Sequence, residues 1–485
     1  EMGINIVIFD GDEDKFINDF FDRKEISPYI KEILTPTAQE NSDVKYNPVK
    51  QTTPIVPDIK TSEAIPTENE HSESTPLSNI TTCIPEFDII VGKTSASSQY
   101  GMLGKVSVNN KSIAIDLSET NTISLFGVQG GGKSYTIGTI TEMVLKQFNN
   151  VNQLPAPLAG VIFHYSESMD YDPEFTSMIH PNDKDAELQK LKAEFGANPD
   201  KLDDVIILTP KDKIEERQLQ YPSISIHPIT FNSKELNVQD WMFLLGAIGN
   251  DSTYIKQLKA LMRSMRTNIS LSALSDNVAN TTLLSNTQKT LAEQRINFAR
   301  EYIDDNSMLK DLLKPGRLII VDLRDEFIEK DEALGLFVVM LNIFSSVKVI
   351  DGRSFNKFIV FDEAHKYMNN KDLTESIVTA IREMRHKGVS IMIASQDPPS
   401  LPNEIIELSS ILLLHKFNSP QWLKHIQKSI TSLSSVTPFD LSSLNPGEGF
   451  LWATKSTDKG IMNRPVKIYT RPRVTKHGGE TIKAI

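Results

Sequence analysis

The sequence has little cysteine and no long apolar segment. Its single cysteine, Cys83, excludes an internal disulfide and a zinc site built from several cysteines. No apolar run approaches the roughly 18 residues that a membrane-spanning helix needs, so we expect no transmembrane segment. The start lacks a secretory pattern, and because the chain begins with Glu1 we expect a processed form or a fragment of something longer. These absences predict a cytoplasmic protein.

Negative charge is abundant, but it is concentrated in one part of the chain. The 485 residues carry 51 Lys and Arg against 63 Asp and Glu, a net charge of -12. Residues 1–93 hold 18 acidic and 8 basic side chains, whereas the remaining residues hold 45 and 43. Residues 454–485 are basic, with 8 Lys or Arg against 2 Asp or Glu. Because affinity for nucleic acid depends on local phosphate contacts, the overall acidity does not exclude a nucleic-acid-binding protein.

Composition divides the chain into four segments. Residues 1–35 form a short N-terminal segment, and residues 36–85 hold 7 Pro and 13 Ser or Thr with few aromatic side chains. Such a stretch buries too little apolar area to offset its ordering entropy, which predicts a disordered linker; a partner-binding tail is the alternative. Residues 86–118 predict a small β piece, and residues 119–485 predict the main domain, with a helical insertion at about 234–312.

Short apolar runs alternate with helical patterns in the main domain. This alternation is typical of an α/β fold with a mostly parallel central sheet whose strands are covered on both faces. The predicted strands are 122–126, 160–163, 205–208, 318–322, 358–361, 390–394 and 411–414.

A glycine-rich segment follows the first of these strands. It matches the phosphate-binding loop pattern in full, and a helical pattern follows it. Glycines let backbone N–H groups surround phosphates, Lys133 supplies positive charge to the β- and γ-phosphates, and the Ser134 hydroxyl completes a Mg²⁺ shell. The alternative, a turn that binds nothing, fits the strand–loop–helix context poorly. The predicted ATP-binding residues are Gly127, Val128, Gln129, Gly130, Gly131, Gly132, Lys133, Ser134 and Tyr135.

Two further predicted strands end in polar residues. One is followed by Asp362 and Glu363, which predicts a Mg²⁺ ligand at Asp362 and an activator of the attacking water at Glu363. His365 is interpreted as a helix-start residue near this site. The other strand leads to Gln396, whose amide can hydrogen-bond both the water and the γ-phosphate.

A basic helical pattern precedes the strand that leads to Gln396. It contains Arg382 and Arg385, and it ends in Lys387 and Gly388. A solvated helix face is one interpretation of these charges. Because they lie so close in sequence to a phosphate-sensing strand, we favour arginines that reach the nucleotide of a neighbouring subunit.

These features together resemble the HerA/FtsK superfamily of ring-forming DNA motors, particularly HerA-like ATPases. The resemblance covers about residues 101–473 and includes the phosphate loop. The other segments that carry it are 361–365, 382–389, 394–396 and the Pro-Gly-Glu turn at 445–449.

The resemblance implies a RecA-like P-loop ATPase that works with ATP and Mg²⁺ as a homohexamer around double-stranded DNA, often with a nuclease as partner. It implies Arg385 as an arginine finger acting in trans, with Arg382 as the second candidate. Many relatives carry an acidic Asp-Pro-x-Gly-Glu-like segment after the strand that follows the phosphate-loop helix. Residues 164–168 stand at that place here, so no acidic role is assigned to them.

A narrower resemblance involves residues 100–101, 124–135 and 161–166. They are similar to the ATPases of bacterial restriction systems that depend on phosphorothioated DNA. This similarity implies a role in DNA restriction or antiviral defence in the bacterial cytoplasm, with a nuclease or another defence protein as partner.

Two basic clusters are candidates for DNA contact. Four residues in the helical insertion are spaced three, four and three apart, so they share one helix face. That face contacts DNA in one interpretation, and solvent or another subunit in the other; the same alternatives hold for a basic C-terminal cluster. No aromatic side chains interleave with either cluster, which favours backbone tracking over base stacking. The insertion residues are Lys256, Lys259, Arg263 and Arg266, and the C-terminal ones are Arg464, Lys467, Arg471, Arg473 and Lys476.

The leading prediction is an ATP-hydrolysing double-stranded DNA translocase, of helicase type, that works with a nuclease. The rival prediction is an ATP-switched assembly scaffold or regulator of a defence complex, in which no DNA moves. A third, a motor for export, is disfavoured by the missing membrane segment. A complete hydrolytic set of residues favours the translocase, and no nuclease constellation is visible in the chain.

Overall fold

The computed structural model describes residues 84–247, 252–266, 269–350, 352–368 and 371–479, without the side chains of residues 371–373, 376, 380, 384 and 385. The predicted N-terminal segment and nearly all of the predicted linker lie outside these residues. All of the described residues belong to one compact unit, Ser78–Ile485.

The β-strands lie mostly where the apolar runs predict them. They are β1 (Ile89–Val91), β2 (Tyr100–Val106), β3 (Ser112–Asp116), β4 (Thr122–Phe126), β5 (Asn152–Gln153), β6 (Ala159–Ser166), β7 (Val205–Thr209), β8 (Ser225–Pro228), β9 (Leu318–Arg324), β10 (Val349–Ile350), β11 (Arg353–Ser354), β12 (Lys357–Phe361), β13 (Val389–Ser395), β14 (Ile411–Leu414), β15 (Glu448–Ala453) and β16 (Val466–Thr470).

One sheet contains 14 of these strands. Its order is β1-β3-β2-β16-β15-β14-β4-β13-β12-β6-β9-β7-β8, with β5 paired to β2. Every neighbouring pair from β14 to β8 is parallel. The pairs from β14 through β15, β16 and β2 to β3 are antiparallel. The predicted fold class, α/β with a mostly parallel central sheet, is confirmed. The strands within residues 86–118 continue this sheet through β16.

Helices cover both faces of the parallel part. They are α1 (Lys133–Leu145), α2 (Asp185–Phe195), α3 (Ile214–Gln220), α4 (Val238–Leu244), α5 (Thr253–Met265), α6 (Leu271–Asn280), α7 (Asn286–Arg300), α8 (Lys330–Ser346), α9 (Lys371–Lys387), α10 (Asn403–Glu407), α11 (Pro420–Ser429), α12 (Pro438–Ser442) and α13 (Lys459–Asn463).

The alternation of side chains along the strands creates two apolar cores. Val161 and Phe163 of β6 belong to a cluster that includes α8, whereas Ile162 between them belongs to a second cluster that includes α1. Every residue of β6 and β9 is buried, because both faces of these strands are covered. Burial on two faces explains why the strands read as continuous apolar runs rather than as alternating ones.

The described residues between β8 and β9 are helical or irregular. Helices α4 to α7 lie in this stretch, which includes the region where a helical insertion is predicted. In α5, Ile255, Leu258 and Met262 are buried in the same core as α8. The insertion therefore packs on the α8 face of the sheet. Among the residues described, none of the helices is both long enough and apolar enough to cross a bilayer.

Candidate active site

The phosphate-loop segment, Asp362, Glu363 and Gln396 lie at the carboxyl edge of the parallel strands. β13 lies between β4 and β12. The phosphate-loop segment follows β4, Gln396 follows β13, and the pair Asp362 and Glu363 follows β12. Because parallel strands end at one edge of a sheet, all three segments meet there.

The glycine-rich loop has a backbone that only glycine adopts without strain. Gly130 has φ 73° and Gly132 has φ 100°, both in the left-handed region. The Val128 N–H donates to the Lys416 carbonyl (2.9 Å), and the Gly131 N–H donates to the Val128 carbonyl (3.1 Å). α1 begins directly after Gly132, so the loop leads into a helix N-terminus that favours negative charge.

The loop is supported from the turn between α12 and β15. A Cβ on Gly132 would lie 3.0 Å from the backbone nitrogen of Gly447, which leaves little room for a larger residue. His415, directly after β14, donates from Nδ1 to the Glu448 carbonyl (2.7 Å) and accepts at Nε2 from the Thr136 hydroxyl (2.9 Å). Burial lowers the pKa of His415 to about 4, so this ring is neutral near pH 7. The Pro-Gly-Glu turn thus packs against the loop.

Glu363 connects the segments that follow the three strands. Its Oε1 accepts from Nε2 of Gln396 (2.7 Å) and lies 3.7 Å from Nζ of Lys133. Its side chain is buried, and Oε2 has no hydrogen-bond partner among the described residues. The Glu363 backbone is left-handed, with φ 48° and ψ 43°. A non-glycine residue in this region costs about 1–3 kcal/mol and is typical of functional sites.

Asp362 is the second buried carboxylate of this edge. Its backbone N–H extends the sheet by donating to the Phe163 carbonyl (3.1 Å). Its Oδ2 lies 3.6 Å from Nδ1 of His164, whose Nε2 donates to the Tyr171 carbonyl (2.9 Å). Its Oδ1 has no hydrogen-bond partner in the described part of the chain. A buried carboxylate oxygen without a hydrogen-bond donor fits Mg²⁺, which prefers oxygen ligands.

His365 touches both catalytic candidates, although it was interpreted only as a helix-start residue near the site. It lies in a 3₁₀ helix, Ala364–Lys366, and its Nδ1 is 3.3 Å from Oε2 of Glu363. The Gln396 backbone N–H donates to the same nitrogen (3.4 Å). Burial is the main cause that lowers the pKa of His365. A neutral ring here helps to fix the turn that carries Glu363.

A cavity of about 940 Å³ opens beside these groups. It is lined by Lys133, Ser134, Glu363 and Gln396, together with residues that no sequence pattern singles out. The additional lining residues include Tyr171, Glu174, Glu187, Pro472 and His477.

Tyr135, a predicted ATP-binding residue, lies in the wall of this cavity. Its hydroxyl donates to Oε2 of Glu187 (2.7 Å) and accepts from the backbone N–H of Arg473 (2.8 Å). Its ring contacts the His477 ring edge to face, with centroids 5.3 Å apart. Burial raises the pKa of Tyr135, so the phenol stays protonated. The cavity wall is therefore built from α1, α2 and the C-terminal end of the described chain.

That C-terminal end, residues 471–479, is named the tail here. Arg471 donates to Oε1 of Glu142 in α1 (2.6 Å), and both side chains are fully buried. The Glu142 carboxylate also accepts from the backbone N–H groups of Val474 (3.1 Å) and Thr475 (3.0 Å). The Arg473 side chain is buried as well, against Gly138 of α1. In this chain, Arg471 and Arg473 are therefore inaccessible to DNA.

The four basic residues of the insertion have the opposite environment and are named the α5 stripe. Lys256, Arg263 and Arg266 are exposed, and Lys259 is half-buried. Lys256, Lys259 and Arg263 lie on α5 beside its buried apolar residues, and they share one face as the spacing predicts. The prediction of a shared helix face is wrong for Arg266, because α5 ends at Met265 and Arg266 is its non-helical C-cap, with φ 54°.

The two candidate finger arginines lie on α9, far from their own phosphate loop. Arg382 is exposed, and the Arg385 side chain is outside the described part. Arg385 precedes β13 by four residues, and the seven residues of β13 separate it from the carboxyl edge. Seven strand residues span about 23 Å, far beyond the reach of an arginine side chain.

Comparisons with known proteins give limited similarity. No protein-family model matches the chain. A stretch of 109 residues is 35% identical to "Probable helicase MJ1565" of Methanocaldococcus jannaschii, and it covers 21% of this chain and 21% of that protein. The match thus spans about a fifth of the curated relative's length.

The solved structures that match this chain have low sequence identity to it. VirB4 of Thermoanaerobacter pseudethanolicus is 12% identical, with TM-score 0.45 and coverage of 78% of this chain and 98% of that chain. The bacterial conjugative coupling protein TrwBdeltaN70 is 13% identical, with TM-score 0.46 and coverage of 78% and 92%. The genome packaging NTPase B204 of Sulfolobus turreted icosahedral virus 2 is 12% identical, with TM-score 0.32 and coverage of 74% and 99%.

Proposed function

We propose that this chain is a P-loop ATPase that hydrolyses ATP in the cavity at the carboxyl edge of the sheet. The observation that carries the proposal is the position of Glu363. Its carboxylate contacts the phosphate-loop lysine, Lys133, and the amide of Gln396, and its second oxygen has no donor among the described residues. A base that must activate a water beside a γ-phosphate needs these neighbours.

Each residue then has a distinct role. The loop N–H groups and Lys133 bind the phosphates, and Ser134 and Asp362 hold Mg²⁺, which supplies charge neutralisation when bound. Because phosphate competes for Lys133, ATP binding would separate its Nζ from Oε1 of Glu363 and leave that carboxylate to accept a proton from water. Gln396 would hold the water and the γ-phosphate in line.

The proposal extends to an assembly in which Arg385 acts on a neighbouring copy. Its distance from its own site along β13 supports a role in trans. A homohexamer is the arrangement that the resemblance to HerA-like ATPases implies. Each site would then be completed by the next subunit.

We further propose that the assembly translocates along double-stranded DNA. The exposed α5 stripe supports DNA contact, and so does the short match to a protein described as a helicase. Phosphate contacts from such a stripe would be independent of base sequence. A nuclease partner and a role in bacterial DNA restriction or antiviral defence, as in phosphorothioation-dependent systems, complete the proposal.

Nucleotide binding and hydrolysis, measured on the same variants, test the ATPase assignment. Lys133→Ala should lose nucleotide affinity, because it removes the charge that holds the phosphates. Glu363→Gln should still bind ATP but hydrolyse it about 10²-fold or more slowly, because only the base is removed. Glu332→Gln, at an exposed glutamate on α8 that accepts from the Tyr302 hydroxyl, is the control and should hydrolyse ATP normally. Hydrolysis by Glu363→Gln at the control rate would refute the role of Glu363.

Mixed assemblies test the trans arginine. Arg385→Ala should slow turnover by about 10³- to 10⁵-fold while each subunit still binds nucleotide. Mixing Arg385→Ala with Lys133→Ala subunits should restore part of the activity, because some interfaces then pair an intact loop with an intact arginine. Absence of rescue in verified mixed assemblies would contradict a role in trans.

A further inference from the structure

We propose that Glu174 is a second acidic residue of the metal site, with a carboxylate oxygen that binds the nucleotide-associated divalent cation, directly or through water, beside Ser134 and Asp362. The inference rests on the proposed ATPase function and adds a ligand to it. No feature of the sequence selected Glu174, which lies in the loop after β6.

The position of Glu174 is the first argument. It begins the 3₁₀ helix Glu174–Ile179, eight residues after β6 ends at the same sheet edge as Asp362. Its side chain lines the active-site cavity together with Ser134 and Glu363. β6 itself contains no acidic residue, but the loop that follows it places the Glu174 carboxylate at this edge of the sheet.

Unpartnered oxygen atoms at this edge are the second argument. Oε2 of Glu174 is buried without a hydrogen-bond partner among the described residues, and the same holds for Oδ1 of Asp362 and Oε2 of Glu363. Asp362 is 5% exposed and Glu363 is 2% exposed. Buried carboxylate oxygens without donors are costly unless a cation or its water shell satisfies them.

The neighbours of the Glu174 carboxyl group point the same way. The Ser134 hydroxyl is its hydrogen-bond partner, and the negative charge of Asp362 acts on it. Close carboxylates repel one another unless positive charge compensates them. Magnesium is a hard cation that takes such oxygen ligands.

The tail holds the Glu174 carboxyl in place. Ser177 donates from its hydroxyl to the Lys476 carbonyl (2.9 Å), which fixes the tail along the 3₁₀ helix. A Cβ on Gly478 would lie 2.6 Å from the Glu174 carbonyl oxygen, and a Cβ on Gly479 would overlap the Glu174 carboxyl group. These two glycines therefore allow a close approach that any larger residue would prevent.

The protein alone supplies too few ligands for tight binding. In the described ranges, no group of three or more His, Cys, Asp or Glu side chains could hold a metal ion by itself. The cation therefore needs phosphate oxygens of the nucleotide to complete its shell, as Mg²⁺ usually does in nucleotide-dependent enzymes. Binding of the cation should depend on nucleotide.

Electron paramagnetic resonance of Mn²⁺ with the full chain and ADP tests the proposal without catalysis. Glu174→Gln should weaken Mn²⁺ binding in the presence of ADP by about 10- to 100-fold. Its affinity for ADP in EDTA should be unchanged, because the phosphate loop is intact. The matched control is Glu187→Gln, which removes a negative charge from the same cavity at the side chain that accepts from Tyr135.

A second variant, Gly479→Ala, displaces the carboxyl without removing it and should also weaken Mn²⁺ binding, which keeps the test decisive if Glu174→Gln does not fold. Unchanged Mn²⁺ affinity in Glu174→Gln, or in Gly479→Ala if only that variant folds, would overturn the proposal. An equal loss in Glu187→Gln would also overturn it, because cavity charge alone would then explain the effect. Failure of the wild-type chain to bind ADP at all would instead refute the ATPase assignment.

Discussion

The tail and the α5 stripe are both rich in positive charge, yet their charges lie in opposite environments. In the tail, Arg471 and Arg473 are fully buried. In the stripe, Lys256 and Arg263 are exposed, while the apolar residues of the same helix face the core. The sequence allows the same two interpretations for both basic clusters, and the structure excludes DNA contact for Arg471 and Arg473, whereas Arg464 of the C-terminal cluster is exposed.

The difference lies in what each cluster can pair with. The tail is an extended segment, in which residues two apart point to the same side, so Arg471 and Arg473 both face α1. α1 presents a buried acidic partner, Glu142, which accepts from three residues of the tail. In α5, by contrast, the buried residues are apolar, and Lys256 and Arg263 lie outside this buried set. Basic residues therefore indicate a DNA-binding surface only where the helix or segment that carries them leaves their side chains exposed to solvent.

The largest effect should come from breaking the buried pair of the tail. Arg471→Met leaves Glu142 buried without its guanidinium, and removal of one partner of a buried pair costs about 3–5 kcal/mol. The free energy of unfolding from urea denaturation measures this loss. Lys476→Met removes an exposed partner of Asp183 from the same tail and should cost less than about 1 kcal/mol. Equal losses in the two variants would contradict the comparison.

The tail should also lose stability in acid through His477. Burial, together with the charges of Arg473 and Lys184, lowers the pKa of His477 to about 4. Between about pH 6.5 and 4 the unfolded chain binds a proton that the folded chain does not, so stability is complete above this window and falls as pH falls.

Comparison with His477→Gln isolates this contribution. The stability of the wild-type chain relative to His477→Gln should fall by about 1.4 kcal/mol per pH unit within the window. Urea denaturation between about pH 7 and pH 5 provides the measurement. A constant difference between the two chains would show that His477 titrates normally in the folded state.

Alanine substitution of two helix glycines tests how tightly Arg473 of the tail is packed. Gly138→Ala in α1 places a methyl group on the Arg473 guanidinium, and overpacking of this kind costs about 1–3 kcal/mol. Gly335→Ala in α8 meets no described atom nearer than 3.7 Å and should gain up to about 1 kcal/mol, since alanine favours helix. Thermal unfolding should therefore shift in opposite directions. A gain in both variants would mean that Arg473 moves aside without cost.

Substitutions in the α5 stripe should have the smallest effect on stability. Among these variants, they alone should change the affinity for DNA. Lys256→Ala combined with Arg263→Ala should leave folding unchanged but weaken duplex binding equally for unrelated sequences. The slope of log affinity against log salt should become shallower by about 0.9 for each lost phosphate contact. Fluorescence anisotropy across a salt series measures both quantities. If affinity and slope are retained, the stripe is a solvated or intersubunit face.

Local patterns in the sequence predict the strands that position the site and the residues that follow these strands. The apolar runs place the parallel strands, and the glycine-rich loop, Asp362, Glu363 and Gln396 come together at one edge because each follows such a strand. The β6 prediction is too short, since His164 to Ser166 continue the strand by pairing with β9. Because strands are predicted from apolar runs, polar residues at the end of a strand make the prediction too short.

Contacts between distant segments are not predictable in this way. Arg471 and Glu142 are 329 residues apart, and no periodicity links them. Glu174 reaches the cavity from a loop whose sequence resembles any helix start. His365 was interpreted as a residue near the site, but its contacts with Glu363 and Gln396 depend on a left-handed turn that sequence does not reveal.

ATP hydrolysis by the wild-type chain, titrated with long duplexes of unrelated sequence, tests the central claim most directly. A DNA-translocating ATPase should hydrolyse ATP faster as duplex is added, to the same plateau for each sequence, and Glu363→Gln should remain inactive throughout. Hydrolysis that duplex DNA leaves unchanged, together with no duplex binding at low salt, would contradict translocation and support the ATP-switched scaffold.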